Sequence, residues 1–141
     1  MFELHPQLAA DCAVVGDLPL CRVLLLNDSQ YPWLILVPRQ AGLKELFELS
    51  DEQRTRYCRE SDLAAAILTR QFNAEKLNIA ALGNMVPQLH IHHIARFTGD
   101  PCWPKPVWGQ LPPQAYSEAA LAQRLGELRQ AFAADPEFSA A

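Results

Sequence analysis

The chain has 141 residues, of which 50% are hydrophobic and 20% charged, and its formal net charge at pH 7 is −4. That length predicts one domain, with enough apolar material for a core that needs no metal or disulfide staple. Acidic and basic residues are interspersed without a basic patch, so no nucleic-acid partner is expected. No run reaches the roughly 18 uninterrupted apolar residues of a membrane-spanning helix. Met1 to Pro6 hold no basic region followed by an apolar run, as a secretory signal would. These features predict a cytoplasmic protein whose four thiols, Cys12, Cys21, Cys58 and Cys102, stay reduced and behave as small buried hydrophobes. Their spacing contains no CxxC pair.

From Cys21 to Val37 the pattern predicts two strands, Val23 to Leu26 and Trp33 to Val37. Between them Asn27-Asp28-Ser29-Gln30-Tyr31-Pro32 is dense in turn formers, so the strands form an antiparallel hairpin. Pro38, which cannot donate to a ladder, ends the second strand. A long helix is expected over Asp51 to Phe72, with Ser50 as its cap and Gln53 completing a capping box. Leu63, Ile67 and Leu68 lie on its apolar face, whereas Arg54, Arg59, Glu60 and Arg70 read as solvated.

Two further strands are expected, Leu77 to Leu82 and Leu89 to Phe97, joined through a Gly83-Asn84 turn. After Thr98 comes a proline-rich arm, 101–113, without a packing period. Trp103, Val107 and Trp108 give it apolar surface to bury, so it should be ordered. A last helix is expected from Ser117 to about Phe132, with Leu121, Leu125, Leu128 and Phe132 along one stripe. This succession describes an α+β domain built on an antiparallel sheet, with its core at about residues 10–100.

The segment Gln88-Leu89-His90-Ile91-His92-His93-Ile94 carries three of the four histidines. Side chains alternate along a strand, so Gln88, His90 and His92 share one face while Leu89, Ile91 and His93 share the other. Imidazole titrates near neutrality and offers two distinct nitrogens. It can attack a phosphoryl centre and form a covalent adduct that water then opens, and no metal is needed for that. Zinc on His90 and His92 is the rival reading. Zinc takes three or four protein ligands, and here His5 is remote while His93 points away. Neither a metal nor another cofactor is therefore expected.

These residues resemble the histidine-triad family, whose motif is His-φ-His-φ-His-φ-φ with φ apolar. The resemblance extends back through Gly83-Asn84-Met85-Val86 and through Leu24 to Pro38. It extends forward to Trp103-Pro104-Lys105-Pro106-Val107-Trp108-Gly109. The run looks like a bacterial branch of the family with glutamine first. The resemblance implies that His90 is the nucleophile towards a nucleotide α-phosphate and that His92 contacts the phosphate or leaving group. It places Asn27 or Asp28 at the ribose, and Asn84 and Arg96 near the phosphates. It also implies a homodimer with a sheet continued across the interface. Substrates would be nucleoside phosphoramidates or dinucleoside polyphosphates; the alternative is a non-catalytic nucleotide-binding or adaptor dimer of the same fold. The chain departs from the pattern at four positions. Gln88 replaces the first histidine, Met85 stands where a hydroxyl residue often assists the leaving group, Trp33 stands near a further histidine, and His93 occupies an apolar position. Trp103 and Trp108 read as packing or dimer-contact residues.

Overall fold

The structure, a computed structural model that describes residues 1–141, is an α+β domain around one six-stranded sheet. A short helix α1 (Pro6–Asp11) leads into strands β1 (Cys12–Asp17), β2 (Cys21–Leu26) and β3 (Trp33–Pro38). The long helix α2 (Asp51–Phe72) follows, then β4 (Lys76–Ala80), β5 (Ile91–Arg96), helix α3 (Glu118–Phe132) and the two-residue strand β6 (Ser139–Ala140). The order across the sheet is β4-β5-β3-β2-β1-β6, and every neighbouring pair is antiparallel. No helix is long and apolar enough to cross a membrane.

The hairpin, both long helices and the capping residues lie where the sequence predicts them. Ser50 accepts from the Gln53 backbone and Gln53 accepts in return, which closes the capping box of α2. Ser117 caps α3 in the same manner on the Ala120 N–H. The elements absent from the prediction are α1, β1 and β6. In β1 the alternation is broken by a register shift between Val14 and Gly16, which hides the period of two from a pattern reading. Gly16 is needed there, because a Cβ at this position would lie 2.4 Å from both the Phe138 ring and the Ser139 carbonyl of the incoming β6 segment. The strand expected from Leu89 to Phe97 is shorter, spanning Ile91 to Arg96. Pro87 offers no N–H, and the Leu89 N–H donates to the Leu43 carbonyl instead of to a ladder.

The sheet separates two apolar clusters. On one face Val23, Leu25, Leu34, Leu36, Ile91 and Ala95 pack against Ala64, Ile67 and Leu68 of α2 and against Leu128 and Phe132 of α3. On the other face Leu24, Trp33, Ile35 and Ile94 meet Leu8 of α1 and Val86 and Val107 from two loops. The second face has no long helix, and that is where a ligand can approach.

Two polar side chains pin α2 to the sheet. Glu60, read from the sequence as solvated, is buried. Its two carboxylate oxygens accept the backbone N–H groups of Leu20 and Cys21, which no ladder satisfies, at 2.9 and 2.7 Å. Ser61 meets His93 Nε2 at 2.7 Å, and His93 Nδ1 lies 3.1 Å from the Ile91 carbonyl. A carbonyl only accepts, so His93 carries its proton on Nδ1 and accepts at Nε2 a hydrogen bond donated by the Ser61 hydroxyl. Of the cysteines only Cys21 is buried; Cys12 and Cys102 are half-buried, Cys58 is exposed, and all four are free thiols.

His93 is 0% exposed, and burial, opposed by the bond to the Ile91 carbonyl, pushes its pKa down to about 4. The unfolded chain binds the corresponding proton near pH 6.5. Stability is therefore complete above that pH and falls as the pH drops towards 4. Between pH 7 and 4.5 the parent should lose about 2 kcal/mol more than His93→Gln, which cannot titrate. Urea unfolding of both proteins at the two pH values checks this, and equal losses would refute it.

Candidate functional site

The site begins with β5, whose six residues are all buried. His92 pairs with Ile35 on one side and Ala80 on the other. That register puts its ring on the face with Trp33 and Ile94, while His93 turns towards α2. His90 lies just before the strand, and its ring centroid is 5.1 Å from that of His92.

The partners of the two rings fix opposite tautomers. His90 Nδ1 lies 2.6 Å from the carbonyl oxygen of Gln88. The carbonyl can only accept, so Nδ1 carries the proton and Nε2 keeps its lone pair. His92 Nδ1 lies 3.0 Å from Trp33 Nε1. Indole N–H can only donate, so His92 Nδ1 is the acceptor and the neutral ring carries its proton on Nε2. One ring therefore offers a nucleophilic lone pair and its neighbour offers a hydrogen-bond donor. Burial, then the neighbouring His90 and His93, push the His92 pKa down to about 4, so it is neutral at pH 7.

Trp33 and Trp108 box His92 with edge-on contacts at 5.7 and 5.2 Å between centroids. Trp108 also divides the concave surface into two cavities. The histidine cavity, of about 260 Å³, is lined by His90, His92, Asn84, Met85, Leu82 and Trp108 among others. Beyond the tryptophan lies a larger cavity of about 370 Å³, whose walls include Asp11, Asn27, Asp28, Tyr31, Trp33 and Leu111. The two cavities share Trp108 as a wall.

Of the residues singled out in the sequence, His90, His92 and Asn84 meet in the first cavity, and Asn27 and Asp28 meet in the second. Asn27 Oδ1 accepts from the Tyr116 backbone, and Asp28 Oδ1 accepts from Gln30 and Gln114. These bonds fasten the segment before α3 to the β2–β3 turn. Gln88 does not face the histidine cavity. It lies outside the strand, where its amide oxygen accepts from the His5 N–H and its amide nitrogen donates to the Glu3 carbonyl, both at 2.9 Å. Its side chain holds the N-terminal segment while its backbone carbonyl holds His90.

Arg96 lines neither cavity. It is 1% exposed and its guanidinium donates to Asp100, to Asn78 and to the Lys105 carbonyl. The rings of Tyr31 and Trp103 lie 5.8 and 5.7 Å from it. Burial opposes ionisation of Asp100, but the Arg96 hydrogen bonds hold its carboxyl below the usual carboxylate range. This cluster moors the arm that delivers Val107 and Trp108. Trp108, expected from the sequence to pack or to contact a dimer partner, lines both cavities, because nothing local in the arm says where a buried arginine elsewhere will anchor it. No group of three or more His, Cys, Asp or Glu side chains is arranged to hold a metal ion.

Breaking the buried pair leaves Asp100 uncompensated, so Arg96→Met should cost about 3–5 kcal/mol in urea unfolding. It should also release the arm, read as increased fluorescence quenching of the tryptophans. A loss under about 1 kcal/mol would show that the cluster is not the anchor.

The sequence model of the HIT domain matches residues 7–99. A histidine triad protein from Marinobacter aquaeolei VT8 is 48% identical, with a TM-score of 0.92 over 95% of this chain and 98% of that one. A histidine triad protein from Bradyrhizobium japonicum is 43% identical, with a TM-score of 0.89 over 92% of this chain and 96% of that one. A hypothetical histidine triad nucleotide-binding protein from Sulfolobus tokodaii strain7 is 14% identical at a TM-score of 0.67, over 87% of this chain and 85% of that one, and shares the fold alone. No curated protein sequence matches the chain. The domain match across the sheet, α2 and both site histidines, together with two such similar structures, means that this chain belongs to the HIT-domain, or histidine-triad, family.

Proposed function

We propose that the chain is a nucleotide hydrolase or nucleotidyl transferase that acts at an α-phosphate through a nucleotidyl-His90 intermediate. The observation that carries this reading is the pair of opposed tautomers, with a lone pair on His90 Nε2 beside an N–H on His92 Nε2. In this mechanism His90 Nε2 attacks the α-phosphorus and the leaving group departs with its bonding electrons. The His92 N–H, aided by the Asn84 amide, receives charge that develops on the phosphoryl oxygens. Water then attacks phosphorus and returns the electron pair to His90. The Gln88 carbonyl keeps the His90 Nδ1 proton in place, so the ring becomes neutral again when the adduct opens.

The larger cavity takes the nucleoside. Its tryptophan and aliphatic walls suit a base, and Asn27 or Asp28 can accept from a ribose hydroxyl. Arg96 serves the site through the arm, as a positioning residue. The exposed edge strand β4, with Ile79 half exposed, suits the sheet-continuing homodimer that the family resemblance implies, and a cytoplasmic location completes the proposal.

His90→Ala removes the nucleophile and leaves both cavity walls. Turnover should fall at least about a thousandfold while nucleotide affinity, measured by calorimetry, changes little. Near-normal turnover by this variant would sink the mechanism, and a non-catalytic binding dimer would then account better for the site.

Gln88 is expected to position and not to exchange protons. Gln88→Ala leaves the Glu3 carbonyl and the His5 N–H without partners, which costs about 1–3 kcal/mol. Through the shared backbone it should lower kcat by about one to two powers of ten, with an unchanged pH profile. Gln88→His should bring no gain on substrates with poor leaving groups, since residue 88 points away from the histidine cavity. A gain of that kind would make position 88 a proton donor.

A further inference from the structure

The indole of Trp33 belongs to both halves of the concave surface. Its ring lines the larger cavity, while its N–H donates to His92, which lines the histidine cavity. The strand register explains the meeting. Trp33 pairs with Ile94 and His92 with Ile35, so the two are diagonal neighbours on one face, within reach for aromatic side chains. Edge-on contacts with Tyr31 and Trp108, at 6.1 and 5.9 Å between centroids, hold the indole in place.

An apolar side chain could fill this position, but it would leave His92 Nδ1 without its partner. The neutral ring could then carry its proton on either nitrogen. With the proton on Nδ1, Nε2 would turn a lone pair towards the phosphoryl oxygens, where a donor is needed. A carboxylate in place of the indole would demand a proton on Nδ1, and a hydroxyl would accept either state. An indole N–H excludes it. We infer that Trp33 is a positioning residue for the reaction, acting through His92, whose Nε2 proton the indole keeps available to the cavity. The effect on rate rests on the nucleotidyl-His90 reading; the effect on the ring does not.

The surroundings of His92 leave this bond in control. Strand β3 presents Trp33 and Ile35, β4 presents Ala80, the loop before β5 presents Asn84 and Met85, and the arm presents Trp108. None of these side chains titrates near neutrality. His90 and His93 are the titratable groups that bear on the ring, and the carboxylates of Asp11 and Asp28 line the larger cavity beyond Trp108.

The test compares the full chain with Trp33→Phe and Trp33→His, using long-range proton–nitrogen NMR of the histidine rings without ligand. In the parent, His92 should be protonated on Nε2 alone and still neutral at about pH 5.5. Trp33→Phe keeps an aromatic ring but loses the N–H, so Nδ1 is free to take a proton. The His92 pKa should then rise towards about 6.5. Trp33→His returns an N–H to the same place, because imidazole Nε2 and indole Nε1 lie equally far from Cγ, and should restore the Nε2 tautomer. The Ser61-bound His93 ring should be unchanged throughout, which shows that the sheet is intact. The parent spectrum and Trp33→His decide the matter even where Trp33→Phe does not fold.

With adenosine 5′-phosphoramidate, kcat of Trp33→Phe should be about tenfold below the parent's at about pH 8. The deficit should narrow to about threefold or less at about pH 5.5, because an imidazolium carries a proton on both nitrogens. Trp33→His should stay within about threefold of the parent at about pH 8. A parent His92 protonated on Nδ1 overturns the inference, as does an unmoved His92 pKa in Trp33→Phe. So does a deficit independent of pH, which marks a merely structural role, or a failure of Trp33→His to rescue. Acid-quenched samples separate the two levels of failure. Where the parent forms a His90 adduct, these outcomes reject the role of Trp33 alone. A parent that forms none rejects the nucleotidyl-His90 reading, and the effect on rate with it.

Discussion

Strand β5 is buried along its whole length, yet it and the residue just before it carry His90, His92, His93 and Arg96. A polar group taken out of water without a partner costs on the order of several kcal/mol, so each of these side chains must be met from elsewhere in the chain. The Gln88 carbonyl meets His90, the Trp33 indole meets His92, Ser61 of α2 meets His93, and Asp100, Asn78 and the Lys105 carbonyl meet Arg96. Those partners come from the preceding loop, strand β3, the long helix, strand β4, and the C-terminal arm with the residue before it. Satisfying one strand therefore fixes the position of nearly every element that shapes the site.

The same bonds set the chemistry. A carbonyl and an indole N–H are one-way partners, the first accepting only and the second donating only. They hold the two rings as opposite tautomers, which an exposed histidine pair would interchange freely. The arrangement gives a lone pair and an N–H side by side, in a cavity walled by tryptophan. It also denies His92 the protonation that would make it an acid. The tautomers of both rings thus follow from how the strand's polar groups are partnered.

Distance along the chain is the second organising feature. Gln88 joins residues 3 and 5 to the segment that bears His90, and Arg96 lies between Trp103 of the arm and Tyr31 of the larger cavity. Asn27 and Asp28 tie down the segment before α3. Much of the cavity wall is loop, and two of these segments have polar anchors on or beside the sheet, the β2–β3 turn through Asp28 and the arm through Arg96. This gives irregular chain a fixed shape without secondary structure of its own.

Elements whose signals are local are legible in the amino-acid sequence. The capping box at Ser50 and Gln53 marks the start of α2, the turn formers between Leu26 and Trp33 mark the hairpin, and the period of two along β5 separates His92 from His93. These depend on neighbours a few residues apart, so a single chain displays them. Other features depend on partners that those neighbours do not contain. The bulge at Gly16 concealed β1, and the two unpaired N–H groups at Leu20 and Cys21 drew Glu60 inward against its polar appearance. Gln88 turned from the histidines to the N-terminal segment because its strand begins only at Ile91. Arg96 was drawn into a buried pair with Asp100, and Trp108 was brought against His92 by the arm that this pair anchors. In each case the deciding partner lies far off in sequence or belongs to the backbone. Which buried polar group will need a given side chain is known only once the chain has closed around it.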